Sequence, residues 1–265
     1  MLILLPPSEG KAATGDGPPV DLGTLTLPEV AQAREEVTAH LEELCRGPQE
    51  PAREVLGISA AQGEALRRNR NLSDAPTLRA ADLYTGVLYD RMALPDLLDS
   101  AAAERTAASV LIFSGLWGVV APGDRVPPYR LSMGVKLPGI GPLGAYWRAQ
   151  LSDLLDKRAE GELVVDCRSS TYAAAWRPGG ETARRTVAVR VLRETGTGDT
   201  ANRTVVSHMA KAVRGSVAHS LLAEGVNVQT PAEFAEALGD LGYPVELGEP
   251  ARRNHPWTLD VIERG

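Results

Sequence analysis

Met1-Leu2-Ile3-Leu4-Leu5-Pro6-Pro7-Ser8-Glu9-Gly10-Lys11 begins the sequence and decides how the rest is read. Leu2 to Leu5 are four consecutive apolar residues, stopped by two prolines. That is the pattern of a buried strand that delivers a polar loop at its carboxyl end. The run has no basic leader and is too short for a signal segment or a membrane span, so it belongs in a core. The same phrase recurs twice. Val110-Leu111-Ile112-Phe113 runs into Ser114-Gly115-Leu116-Trp117-Gly118, and Leu163-Val164-Val165 runs into Asp166-Cys167-Arg168-Ser169-Ser170-Thr171-Tyr172.

Around these three strands the pattern alternates between strand and helix. Helices are expected from Pro28 to Cys45, from about Pro51, over Leu143–Arg158, over Ala210–Ala223 and over Pro231–Leu241. Further strands are expected over Thr186–Leu192 and Thr204–Val206, with a turn at Glu194–Thr200 between them, and a closing pair over Tyr243–Leu247 and Thr258–Val261. Residues 119–147, rich in Pro and Gly, read as a long functional loop. No repeat and no clean boundary divides the chain. The reading is one α/β domain over residues 1–265, with a mixed, largely buried sheet flanked by helices. A Gly-Ile-Ser turn at Gly57–Ser59 between two apolar helical stretches adds a possible helix-hairpin-helix-like element.

Composition removes several function classes. The chain of 265 residues carries a net charge of −6, so any basic site is local and does not cover the molecule. Cys45 and Cys167 stand alone, which excludes a zinc ribbon, a redox pair or a disulfide framework and fits a reducing cytoplasm. His40, His208, His219 and His255 are isolated, so no metal site is expected. The sequence contains no GxxxxGK[ST], GxGxxG, HExxH or GxSxG pattern, and no cofactor is expected.

In open α/β sheets the ligand crevice lies beyond the carboxyl ends of the strands, so the loops after the three apolar runs converge on one candidate site. Ser8, Glu9, Lys11, Ser114, Asp166, Arg168 and Ser170 lie on those loops, and Tyr84 precedes a Thr85-Gly86 turn. The Pro-stiffened segment Pro128-Tyr129-Arg130-Leu131-Ser132-Met133-Gly134-Val135-Lys136 adds a guanidinium fork at Arg130, a point charge at Lys136 and a stacking face at Tyr129. Lys211 and Arg214, three apart on a helix, face one way and can share an anion. Lysine is scarce here, four residues against twenty-four arginines, which singles out Lys11, Lys136 and Lys211. Glu9 and Asp166 are the carboxylates expected in the cleft, as a base or as partners of Lys11 or Arg168.

The strand with its Pro-Ser-Lys loop, Tyr84-Thr85-Gly86, Ser114-Gly115-Leu116-Trp117-Gly118, Pro128-Tyr129-Arg130-Leu131-Ser132-Met133-Gly134 and Ala210-Lys211 through Arg214-Gly215 occur in that order. In this the chain resembles the YaaA family of bacterial peroxide-stress proteins, as a divergent branch: Pro7-Ser8-Glu9-Gly10-Lys11 stands where better-known relatives have Ser-Pro-Ala-Lys. The resemblance implies a cytoplasmic protein induced under peroxide stress, linked to limiting free iron, and binding DNA through a surface with a helix-hairpin-helix-like element.

Two functions follow as expectations. In the first, Lys11, Arg130, Lys136, Lys211 and Arg214 hold the phosphates of DNA or another phosphate-bearing ligand in a basic cleft, and Arg67, Arg68 and Arg70 extend the track. In the second, the protein is an enzyme of N-glycosidase, lyase or transferase type acting on a nucleotide or a phosphorylated metabolite. There Arg130, Lys136 and Arg214 hold the phosphate, Tyr84 or Tyr129 stacks on the base, and Glu9 or Asp166 acts as base. Neither reading fixes the oligomeric state.

Overall fold

In the computed structural model, which describes residues 1–195, 202–205 and 207–264, the Leu2–Leu5 strand (β1) lies at the heart of an eight-stranded sheet. The other strands are Val110–Ser114 (β2), Gly118–Val120 (β3), Val164–Asp166 (β4), Thr186–Thr195 (β5), Asn202–Val205 (β6), Val245–Gly248 (β7) and Trp257–Arg264 (β8). Their order is β7-β8-β5-β4-β1-β2-β3, with β6 paired to the far end of β5. Five strands, β8, β5, β4, β1 and β2, run parallel. The antiparallel strands β3, β6 and β7 make the sheet mixed. All four residues of β1 are buried, as an unalternating apolar run demands when both faces of a parallel strand are covered.

The helical faces follow from spacing. Leu143–Arg158 buries Leu143, Trp147, Leu151 and Leu155, a stripe at four-residue intervals. Ala31–Arg46 buries Val37, Leu41 and Cys45 in the same way. The second expected helix begins at Gln49, two residues earlier than its proline signalled, and the helix expected from Ala210 begins at Ser207. Residues 119–147 are not one loop. They include β3, the two-residue strand Arg125–Val126 paired with Leu78–Arg79, and a hairpin of Lys136–Leu137 with Gly141–Pro142. Of the expected turn at 194–200, Glu194 and Thr195 belong to β5 and residues 196–200 lie outside the described residues. Val206, the expected end of a strand, lies outside them too.

Ser114-Gly115-Leu116-Trp117-Gly118 is the tight connection between antiparallel β2 and β3. Ser114 Oγ accepts from the backbone N–H of Leu116 (3.2 Å) and Trp117 (3.0 Å), closing the turn. Both glycines are sterically required. A Cβ on Gly115 would stand 2.6 Å from the Leu131 carbonyl, and Gly118 has φ +69 with its missing Cβ only 2.7 Å from the Trp147 ring.

Arg34, unremarkable in sequence, holds this turn from beneath. It is fully buried and donates to the carbonyls of Trp117 (3.0 Å), Val119 (2.9 Å), Leu27 (3.2 Å) and Thr26. The Trp117 and Val119 carbonyls are buried and have no solvent to fall back on, so losing the guanidinium leaves them unpaired, at about 1–3 kcal/mol each, and also removes the two part-buried bonds to Thr26 and Leu27. Arg34→Met is therefore expected to destabilise the fold by at least about 3 kcal/mol while melting remains a single transition, which calorimetry of parent and variant will check. Two resolved transitions in the parent would contradict the one-domain architecture.

Candidate functional site around Lys11

Beyond the carboxyl end of β1 the loop Pro6–Gly10 turns, and Lys11 pairs in an isolated β-bridge with Tyr84. Thr85 N–H donates to the Gly10 carbonyl (3.2 Å) and Ala12 N–H to the Leu83 carbonyl (2.9 Å). Tyr89 Oη donates to the Pro6 carbonyl (2.8 Å) and its ring stacks on Tyr84, 5.3 Å between centroids. Ser8 sits against Gly86. The strand-end loop is thus anchored to a segment some seventy-five residues away.

Lys11 Nζ donates to the Ser8 carbonyl (2.6 Å) and lies 4.5 Å from the centroid of the Tyr129 ring and 5.4 Å from that of Tyr84. Behind it, buried hydroxyls form a chain: Ser114 Oγ to Tyr129 Oη (2.6 Å), and Tyr129 Oη to Tyr84 Oη (3.0 Å). Burial drives the pKa of both phenols up, which keeps the chain neutral and proton-bearing. Burial, and then the positive charge of Arg130, lower the Lys11 pKa to about 7, against the opposing pull of Glu9.

Arg130 Nη2 pairs with Glu9 Oε2 at 3.2 Å. Its backbone is clamped by Asn69, whose Nδ2 donates to the Arg130 carbonyl (2.7 Å) and whose Oδ1 accepts from the Arg130 N–H (2.9 Å). Asn69 ends the Gly63–Asn69 helix and is fully buried, yet nothing in the sequence around it marks it out. Glu9, Lys11, Tyr129 and Arg130, with Glu64, Ala65 and Arg68 from that helix and Gln62 just before it, line a cavity of about 200 Å³.

The remaining residues expected at the site divide. Asp166 and Arg168 form a bidentate pair (2.9 and 2.7 Å), with the Arg168 N–H also donating to Asp166 Oδ1 (3.0 Å). The Arg168 guanidinium lies 4.3 Å from the Phe113 ring centroid and 5.7 Å from that of Trp176. This pair lines a second cavity with Trp176, Arg177 and His255 and does not line the one around Lys11, so Glu9 and Asp166 are not neighbours across a single cavity. Of the two roles considered for Asp166, the geometry is that of a partner to Arg168. Cys167, between them, is buried and its thiol is pushed up to about 12 by burial, so it is inert.

Ser170 is exposed at the start of the short Ser170–Ala173 helix. Lys136 is exposed on its hairpin, whose turn at Gly139 meets His40, and it does not line the Lys11 cavity. Lys211 is exposed near the start of the Ser207–Ala223 helix. Three residues on, Arg214 donates through both Nε (3.1 Å) and Nη2 (2.8 Å) to the Val189 carbonyl, so much of its fork serves the sheet. His219 Nδ1 contacts the Met92 carbonyl (2.8 Å), and the His208 side chain lies outside the described residues. Among the described residues no group of three His, Cys, Asp or Glu side chains could hold a metal ion, and no helix is long and apolar enough to cross a membrane.

With this geometry in hand, comparison with known proteins decides the family. The sequence model described as "Peroxide stress protein YaaA" matches residues 1–246. The chain belongs to the YaaA peroxide stress protein family. It is 52% identical to the UPF0246 protein SCO2297 of Streptomyces coelicolor over 262 residues, 99% of this chain and 98% of that one. It is 39% identical to the UPF0246 protein CE1889 of Corynebacterium efficiens over 94% of this chain and 96% of the relative. The uncharacterized protein Cj0984 of Campylobacter jejuni is 29% identical over 81% of this chain and 82% of its own length.

Two outcomes are expected from the site. An amine titrating at about 7 when folded, against its ordinary 10.5, binds fewer protons than the unfolded chain across that interval, so stability rises as pH increases from about 7 to 10.5. Lys11→Met, charged in neither state, removes that slope: the variant melts above the parent at neutral pH and the gap closes toward about pH 10. Tyr129→Phe strips the middle hydroxyl from the buried chain and is expected to cost about 1–2 kcal/mol in denaturant unfolding; a neutral result would mean that the chain carries no structural weight.

Proposed function

We propose that the protein acts, within a peroxide-stress setting, on a small phosphate-bearing metabolite held in the Lys11 cavity. The observation that carries this reading is an amine with a pKa lowered to about 7 at the wall of a small, partly enclosed cavity whose other walls supply Arg130, Arg68 and Glu9. A surface that merely neutralises phosphates has no need of a desolvated lysine, whose burial removes the charge that would attract them. Sites that run proton or nucleophile chemistry near neutral pH do need one. Arg130 is set for anion recognition, because Asn69 fixes its backbone and its fork already holds a carboxylate that a ligand phosphate can replace or share.

The DNA-binding reading rests on one local observation. The Gln49–Leu56 helix ends at Gly57 in a left-handed turn (φ +62), and the chain re-enters helical structure at Ala60. The N–H groups of Gly57, Ile58 and Ser59 in that turn already donate to the Glu54 carbonyl (3.2 Å), the Arg53 carbonyl (3.1 Å) and Gln62 Oε1 (2.9 Å). Of the arginines proposed to extend a track beside it, Arg67 pairs with Glu64 and Arg70 donates to the Cys45 carbonyl (2.8 Å), while Arg68, 3.7 Å from Glu64, lines the Lys11 cavity. With the net charge of −6, this favours the small ligand.

Thermal-shift measurements with sugar phosphates and nucleotides, beside electrophoretic shifts of duplex DNA across a salt series, separate the two. The expected result is stabilisation by a small phosphate, lost in Arg130→Ala. A duplex affinity that falls with log salt at about −0.9 per phosphate contact, with no small-ligand shift, would transfer the function to DNA.

A further inference from the structure

We infer that Lys11 is a nucleophile that forms an imine with the carbonyl carbon of a small aldehyde or ketone bearing a phosphate group. This inference rests on the small-ligand reading above and names the chemistry of that ligand. Three features of the cavity support it. First, Lys11 Nζ has no carboxylate within ion-pair distance among the described residues: Glu9, on its own loop, is taken up by Arg130 at 3.2 Å. A lysine serving charge alone would be placed on the acid. Second, the contacts that Nζ makes are the Ser8 carbonyl at 2.6 Å and the two phenol rings, which orient the amine without bonding it covalently or neutralising it. The other charged groups lining the cavity are Glu9, Glu64, Arg68 and Arg130, two acids and two cations, so no excess of carboxylate is there to hold the amine in its charged form. Burial, and then the charge of Arg130, favour the free amine against the pull of Glu9, consistent with a pKa near 7. Third, the same two arginines line the cavity together with the amine, so a phosphate on them brings the rest of a small molecule into reach of Nζ.

The step balances with what the cavity and solvent hold. The neutral amine attacks the carbonyl carbon, forming the C–N bond while the C=O π pair moves to oxygen. A proton leaves nitrogen and oxygen gains one, giving a carbinolamine, and loss of that hydroxyl as water after a second protonation leaves the protonated imine. Glu9, exposed at the mouth, is placed to pass these protons to and from water. No oxidant, reductant or metal enters.

The chain suits a direct test because it contains just four lysines. The parent protein is incubated at about pH 7 with dihydroxyacetone phosphate and sodium cyanoborohydride, which reduces a protonated imine to a stable amine, and peptides are mapped by mass. The expected adduct is the probe's mass less one oxygen, on Lys11 at least about tenfold above Lys136, Lys157 or Lys211, with a reactivity midpoint near pH 7. Dihydroxyacetone, which lacks the phosphate, labels Lys11 at least about tenfold less. Glycerol 3-phosphate, which lacks the carbonyl, protects Lys11 and leaves no adduct. Lys11→Arg loses the adduct, and Arg130→Ala loses the thermal shift with glycerol 3-phosphate. Equal labelling of the four lysines, or an unlabelled Lys11 in a parent whose melting still responds to glycerol 3-phosphate, overturns the nucleophile and leaves the binding reading standing. No response to either phosphate overturns both.

Discussion

Parallel pairing of β1 on both edges is the constraint from which the rest of the molecule is built. Leu2 to Leu5 pair with Val164 to Asp166 on one side and Val110 to Ile112 on the other, and every side chain of the strand is buried. A strand in that position can leave the sheet only at its ends. Its carboxyl end, and those of its two neighbours, therefore deliver the Pro6–Lys11, Ser114–Gly118 and Asp166–Tyr172 segments to one edge. The chain out of β1 goes on to its neighbour β2 on one side, and the chain out of β4 to β5 on the other.

Much of what gathers at that edge is held by buried polar groups. Arg34 ties the Trp117 and Val119 carbonyls of the β2–β3 connection to those of Thr26 and Leu27, Asn69 clamps Arg130, and Ser114 closes its own turn while bonding Tyr129. Each replaces water that the core excludes, so each is costly to lose. Glycines at 115 and 118 owe their presence to the same crowding, against Leu131 and Trp147. The Ser-Gly-Leu-Trp-Gly signature is in this sense a packing device whose serine also reaches the site.

The Lys11 cavity shows the reverse economy. Holding an ammonium away from water next to Arg130 works against folding near neutral pH, and the fold tolerates it because the surrounding strand, tyrosines and bridge to Tyr84 position the side chain regardless. Asp166 and Arg168 at the neighbouring strand end are a bidentate pair, with Arg168 Nη1 buried and without a hydrogen-bond partner among the described residues. The same sheet edge thus carries one ion pair bonded on both carboxylate oxygens and one lysine left without an acid partner among the described residues, and the second is where the proposed chemistry is placed.

The sequence by itself determined the three apolar strands, the helices at Ala31–Arg46, Leu143–Arg158 and Pro231–Asp240, and the polar loops that end the strands, because burial imposes a period that a few neighbouring residues display in full. It also marked Lys11, Tyr129 and Arg130 by residue type. Which of the cations would lose its water was decided by the tertiary structure. Lys136, singled out with Arg130 on one loop, is exposed on a hairpin beside His40, and Arg214 is drawn onto the Val189 carbonyl. Lys11 meets Tyr84, Tyr129 and Arg130 from distant parts of the chain. A side chain's period is local, but its pKa is a sum over everything packed around it, and only the folded chain brings that sum together.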